Sequence, residues 1–269
     1  MKKRMIKMMI LISVALSLLL LNGCGGKEEK TDLEYIKDKG TLIIGLDDTF
    51  APMGFRDEED NLVGFDIDLA KAVAKEMDIK VDFQPIEWKA KEAEMKSKNI
   101  DCVWNGMSAT PERKKSMSLS SNYLENRILV MSLDQNINVK DAKNLKDYKV
   151  GTQAGSAALE AIQANEEYES FKDNISEYDT YDEAILDMKA GRIDVVVIDE
   201  VYAIYNNSNK DKLYESDFNF GSEYYAVGFR KDDKELTKEF NRALKEVVNS
   251  GKAAEISEKW FGKDMIAVK

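Results

Sequence analysis

The chain has 269 residues, of which 33% are charged, with a formal balance of -11, two cysteines and no histidine. That acidity disfavours nucleic acid or an anionic membrane surface as the working partner. The absence of histidine removes Ser-His catalysis and histidine-metal ligation, so no metal or cofactor is expected.

The first element is a targeting signal. Lys2, Lys3, Arg4 and Lys7 precede a mostly apolar run from Met8 to Leu21, too short and wrongly flanked to span a bilayer as a stable helix. Leu21-Asn22-Gly23-Cys24 resembles the bacterial lipobox, in which the cysteine becomes the acylated mature N-terminus. Residues 1–23 are therefore predicted to be a lipoprotein signal peptide. Residues 24–32 form a charged, flexible tether, and Cys24 carries the lipid that holds the protein at the outer face of the cell membrane. Cys102, the only other cysteine, then has no intrachain partner and reads as a buried structural thiol.

Hydrophobic periodicity next predicts strands at 41–46, 81–86 and 100–104, with helices at 65–77 and 88–98 between them. This βαβαβ order implies a mainly parallel sheet. A strand at 127–133 follows. After the polar stretch 134–147 a second alternating series begins: strands at 148–152, 175–178 and 193–198, helices at 156–164, 181–189 and 200–205. A strand at 224–229 and helices at 234–249 and 252–260 close the chain, with Gly251 as a helix C-terminal stop.

Asn105 to Lys115, N-G-M-S-A-T-P-E-R-K-K, is the most informative stretch. Thr110 suits the N-cap of a new helix and Pro111 its first position. Arg113 falls in that first turn, where the helix dipole does not favour a cation. Beside free amides and the Ser108 hydroxyl it makes a pocket for a carboxylate. The segment 95–103, M-K-S-K-N-I-D-C-V, echoes 188–196, M-K-A-G-R-I-D-V-V, which suggests two lobes with corresponding strands. Asp199 lies at the end of the second of these strands, although it also suits a helix cap. Ligands of open α/β sheets bind at the carboxyl ends of strands. A cleft between two such edges would set Arg113 against Asp199, a pair matched to an α-amino acid. Asp47 opens the loop after the first strand, and Phe50, Phe55 and Trp88 offer ring faces at the same edge. Gly151 to Ser156 supplies a second set of amides. Asp66 and Asp68 read as helix-cap and dipole residues, Trp104 as packing.

Four blocks carry a family resemblance: I-I-G-L-D-D-T-F-A-P-M-G-F at 43–55, L-V-G-F-D-I-D-L-A-K-A-V-A at 62–74, the 105–115 stretch, and A-G-R-I-D-V-V-V-I-D-E at 190–200. With them the chain resembles the extracellular solute-binding proteins of polar amino-acid ABC transporters, over about residues 33–262. The resemblance implies an α/β, two-lobed periplasmic-binding-protein-like fold of type II with the ligand in the interlobe cleft. Residues 33–125 and 225–269 would form lobe 1 and 126–224 lobe 2, with hinge crossings near Glu125 and Tyr224.

It also implies roles. Arg113 and Ser108 would hold the ligand α-carboxylate, Asp199 and the Gly106 carbonyl the α-ammonium. Gln153, Ser156 and Ala157 would close on the carboxylate, while Phe50 and Trp88 pack the side chain and Asp47 meets its polar tip. Membrane permease subunits would be the partner. Asn105-Gly106 stands where some basic-amino-acid binders carry paired hydroxyls, and leans the ligand toward cystine or another polar amino acid. Two other functions fit the same fold. One is a dehydratase of the cyclohexadienyl or arogenate type, with Asp47, Asp48 or Glu87 as acid; the other is a sensory amino-acid receptor.

Overall fold

The computed structural model of the chain describes residues 30–268; the predicted signal peptide, Cys24 and most of the tether lie outside them. The end of the predicted tether is already helical. A helix spans Asp32–Lys39, started by a capping box in which Thr31 Oγ1 accepts from the Glu34 amide and the Glu34 carboxylate accepts from the Thr31 amide. The T-x-x-E spacing at 31–34 is the signal for it. Its Ile36 is fully buried in the core.

Two five-stranded sheets follow, with strands numbered along the chain. The first contains β1 (Thr41–Leu46), β5 (Lys80–Pro85), β6 (Cys102–Val103), β7 (Met117–Leu119) and β13 (Gly228–Arg230), in the order β5-β1-β6-β13-β7. The second contains β8 (Leu124–Ser132), β9 (Val150–Gln153), β10 (Ile175–Tyr178), β11 (Val195–Asp199) and β12 (Tyr214–Tyr225), in the order β10-β9-β11-β8-β12. In each sheet three parallel strands are followed by antiparallel ones. A three-stranded sheet of β2 (Thr49–Phe50), β3 (Gly54–Arg56) and β4 (Leu62–Val63) sits in the loop after β1. The two larger sheets are the two lobes of an α/β fold.

The sequence echo is a structural repeat. Asp101 accepts from the Ile43 amide at 2.8 Å and donates its own amide to the Ile43 carbonyl. Asp194 accepts from the Lys149 amide at 2.7 Å and donates likewise to Lys149. Each aspartate thus registers a central strand against its parallel neighbour. The two isoleucines of the echo explain two glycines: a Cβ on Gly45 or Gly151 would lie 2.4 Å from the Cδ1 of Ile100 or Ile193.

Several predicted bounds move. The predicted helix 88–98 is a 3-10 turn at Trp88–Ala90 followed by a helix at Lys91–Lys96. The predicted strand 224–229 is two strands in different sheets. Tyr225 ends β12 in the second lobe, Gly228 opens β13 in the first, and the chain crosses between them at Ala226-Val227. The twelve-residue β12 escaped prediction because its polar sequence is an edge strand whose alternation is broken by two register shifts against β8. The other crossing leads from β7 into β8, whose Glu125 pairs with Tyr224.

Candidate functional site in the interlobe cleft

The carboxyl ends of β1, β6, β9 and β11 meet at a small cavity. It is lined by Asp47, Phe50, Trp88, Asn105, Gly106 and Ser108 with Arg113 from the first lobe, and by Gln153, Ser156, Ala157 and Asp199 from the second. Phe55 is not in this lining. Its ring packs on Tyr205 and Trp260, with centroids 5.2 and 5.9 Å away, and it borders a separate depression.

Arg113 is held where local rules put it. Thr110 caps the helix Pro111–Ser116, its Oγ1 accepting from the Arg113 amide at 3.3 Å. The guanidinium is buried; Nη1 donates to the Ser108 carbonyl at 3.1 Å and Nη2 to the Gly155 carbonyl at 3.2 Å. Nη2 also lies 3.0 Å from Glu160 Oε1, whereas Nε has no acceptor among the described residues. A buried guanidinium with a spare donor is a strong anion site.

Asp199 occupies the N-cap position of the helix Glu200–Asn209, yet its side chain makes no capping bond. Its carboxylate instead accepts from Tyr225 at 2.6 Å, Asn126 at 2.8 Å and Tyr181 at 3.2 Å. Burial raises its pKa, opposed by the Tyr225 and Tyr181 hydrogen bonds and then by the Arg113 charge. Asn126 Nδ2 also donates to Glu223 at 2.9 Å, and the Ser108 hydroxyl donates to the same oxygen at 2.5 Å. Glu223 is pushed up to about 7, by burial first and by Asp199 second.

Across the cleft Asp47 Oδ2 accepts from Gln153 Nε2 at 2.6 Å, while its Oδ1 accepts from the Thr49 amide and hydroxyl. Burial raises the Asp47 pKa against those bonds. The Phe50 ring lies 5.8 Å from Tyr202 and 6.0 Å from Tyr181 of the second lobe. The Ser156 hydroxyl caps the helix Ala157–Gln163 by accepting from the Leu159 amide. Asn105 Oδ1 accepts from the Asp47 amide at 3.2 Å, tying two lining loops together.

Asp66 is more than a helix-start acid. Its Oδ2 accepts from the Gly106 amide at 2.6 Å and from Tyr123 at 2.9 Å, and burial pushes it up to about 7. It anchors the Gly106 turn from beneath. Sequence reasoning also missed Asn126, Glu223, Tyr181 and Tyr225 around Asp199, and Lys91 and Glu160 around Arg113. For Asn126 a signal existed: the strand begins at Leu124, not at the predicted Arg127, which makes Asn126 a buried polar residue within a strand.

Comparison with known proteins agrees with this architecture. Residues 42–263 match the bacterial extracellular solute-binding proteins, family 3. The arginine-binding extracellular protein ArtP of Bacillus subtilis (strain 168) is 33% identical over 260 residues, covering 95% of this chain and 98% of ArtP. The L-cystine-binding protein TcyJ of Escherichia coli (strain K12) is 30% identical over 235 residues, covering 87% of each chain.

Among solved structures, a histidine-bound substrate-binding protein of an ABC uptake transporter from Streptococcus pneumoniae is 36% identical with a TM-score of 0.80, covering 87% of this chain and 97% of that one. The ancestral amino acid-binding protein AncCDT-1, described as a precursor of cyclohexadienyl dehydratase, is 32% identical with a TM-score of 0.77, covering 86% of this chain and 100% of that one. The chain belongs to the bacterial extracellular solute-binding proteins, family 3.

Proposed function

We propose that this protein captures a polar α-amino acid outside the cell and delivers it to the permease of an ABC transporter. The observation that carries the reading is the pair Arg113 and Asp199: both buried, opposite in charge, drawn from different lobes and lining one small cavity. Arg113 with Ser108 holds the α-carboxylate; Asp199 and the Gly106 carbonyl hold the α-ammonium. Gln153, Ser156 and Ala157 close from the second lobe, Phe50 and Trp88 pack the side chain, and Asp47 meets its polar tip. The lobes are read as divided where the chain passes between the two large sheets, just before Leu124 and at Ala226-Val227, a small shift from the bounds at 125 and 225.

Around the cavity Asp47, Asp199, Glu160 and Glu223 outnumber the cations Arg113 and Lys91. This balance favours a neutral or cationic side chain over an acidic one. It supports cystine or another polar amino acid, and is also compatible with arginine or histidine, which relatives bind. Cys24 is read as the lipidated residue that keeps the protein at the membrane. No helix among the described residues is long and apolar enough to cross a membrane.

The test is a thermal-shift panel of the common amino acids and cystine. A ligand at 100 times its Kd stabilises the protein by roughly 2.7 kcal/mol; no shift with any of them refutes the reading. A binding protein is also expected to leave arogenate and prephenate unchanged, and release of phenylalanine or phenylpyruvate would replace this reading with the dehydratase.

A further inference from the structure

Lys91 is the only buried lysine among the described residues, 5% exposed. It opens the helix Lys91–Lys96 immediately after the 3-10 turn that carries Trp88. Both hydrogen-bond acceptors of its ammonium are backbone carbonyls: Trp88 at 3.2 Å, in its own lobe, and Gly155 at 2.8 Å, in the other. The ammonium also lies 5.1 Å from the centre of the Trp88 ring, on the wall of the cavity.

The Gly155 carbonyl is thus the meeting point of two first-lobe cations, since Arg113 Nη2 donates to it as well. Gly155 adopts φ +67°, and a Cβ there would sit 3.0 Å from Lys89 Cα, so the two lobes approach backbone to backbone at this turn. Gly155 stands between Gln153 and Ser156, both in the cavity lining. Whatever fixes the Gly155 carbonyl fixes the part of the second lobe that faces the ligand.

We propose that Lys91 is a positioning residue for ligand capture, its ammonium drawing the Gly155 turn against the first lobe and so setting Gln153, Ser156 and Ala157 around the cavity. This rests on the amino-acid-binding reading. Lys91 is not among the residues that line the cavity and acts through the turn.

The charges that face Lys91 make the contact responsive to both ligand and pH. Arg113, on the helix Pro111–Ser116, repels it; Glu160, on the helix Ala157–Gln163, and Glu92, on its own helix, attract it. Burial, and then Arg113, push the ammonium down to about 7. A ligand carboxylate bound at Arg113 offsets the repulsion and favours the charged lysine. The sign follows. As pH rises through about 7 the ligand-free protein loses the Lys91 proton, its grip on Gly155 weakens, and affinity falls. A lysine that merely buttressed its own turn would alter stability without producing this decline.

The experiment compares wild type, Lys91→Met and Lys91→Arg. Dissociation constants for L-arginine, L-histidine and L-cystine are measured from about pH 6 to about 8, before the ligand ammonium loses most of its charge, and the ligand-free radius of gyration by small-angle X-ray scattering. Lys91→Met is expected to weaken binding about tenfold, abolish the alkaline decline and enlarge the ligand-free protein. Lys91→Arg, which does not titrate in this range, is expected to keep the affinity and the compact form and also lack the decline. A folded Lys91→Met with wild-type affinity and radius overturns the proposal. If Lys91→Met does not fold, an undiminished alkaline decline in Lys91→Arg overturns it. If wild type binds none of the three amino acids, the amino-acid reading loses its support, and the ligand-free radii decide for or against the Lys91 contact.

Discussion

Arg113 and Glu160 form an ion pair across the cleft, Nη2 to Oε1 at 3.0 Å, so the arginine read as the anion holder already carries a carboxylate from the opposite lobe. Glu160 keeps 31% of its side chain exposed while Arg113 keeps 3%. A ligand carboxylate arriving at Arg113 therefore meets a like charge. Arg113→Ala is expected to weaken binding at least about tenfold, since a hydrogen bond to a charged group contributes about 1.5–3 kcal/mol. Glu160→Gln keeps the shape and removes the competitor, and is expected to tighten binding by a few-fold. Titration calorimetry of both variants checks the pair.

Asp199 is expected to matter through its charge. Its three donors, Tyr225, Asn126 and Tyr181, keep an acceptor aimed by neutral groups. Asp199→Asn is expected to lower affinity for the α-amino acid by about one to two orders of magnitude. Tyr225→Phe, which removes only the shortest of the three bonds, is expected to cost less. Binding of the same ligand with its amine acetylated should be weak in wild type and little changed further by Asp199→Asn.

Glu223 predicts a pH limb opposite to that of Lys91. Its carboxyl, pushed up to about 7, takes a proton as pH falls through that value. The attraction between the cleft and a ligand ammonium then weakens, so affinity is expected to fall on acidification below about pH 7. Below about pH 7 this carboxyl should release protons on binding, whereas Lys91 takes them up above that value, so the difference between wild type and Glu223→Gln in the buffer-dependent calorimetric enthalpy isolates it. Glu223→Gln is expected to flatten this limb and leave the alkaline one in place.

Asp66 is a stability prediction. Its folded carboxyl is raised to about 7 from an ordinary 3.8, so between those values the folded state binds more protons than the unfolded one. This residue's contribution to stability therefore declines as pH rises from about 4 to about 7 and changes little above. Asp66→Asn retains an acceptor for Gly106 and Tyr123 and is expected to remove that slope at modest cost. Asp66→Ala leaves both donors unpaired and is expected to cost about 2–4 kcal/mol. Urea unfolding at several pH values distinguishes the two.

Much of the fold was legible because its signals are local. The helices at 181–189 and 234–249 stand where their periodicity places them, and Thr110-Pro111 starts its helix as cap chemistry requires. The repeated I-D of 100–101 and 193–194 marked the matching central strands of both sheets. These features depend on residues within a turn or two of one another, which a linear reading resolves.

What only the tertiary structure decided involves residues far apart in the chain. Asp199 meets partners 73, 18 and 26 positions away, and nothing local in Asn126, Tyr181 or Tyr225 announces that meeting. Phe50 and Phe55 belong to one loop, yet one lines the cavity and the other packs on Trp260, because neighbouring strands of the small sheet present them differently. By itself the sequence determined that an arginine opens the helix after one central strand and that an aspartate ends the matching strand of a similar sheet. The packing of the lobes decided that Glu160 stands beside that arginine and that Lys91 shares its Gly155 acceptor, since groups from opposite sides of a cleft are brought together only by tertiary packing.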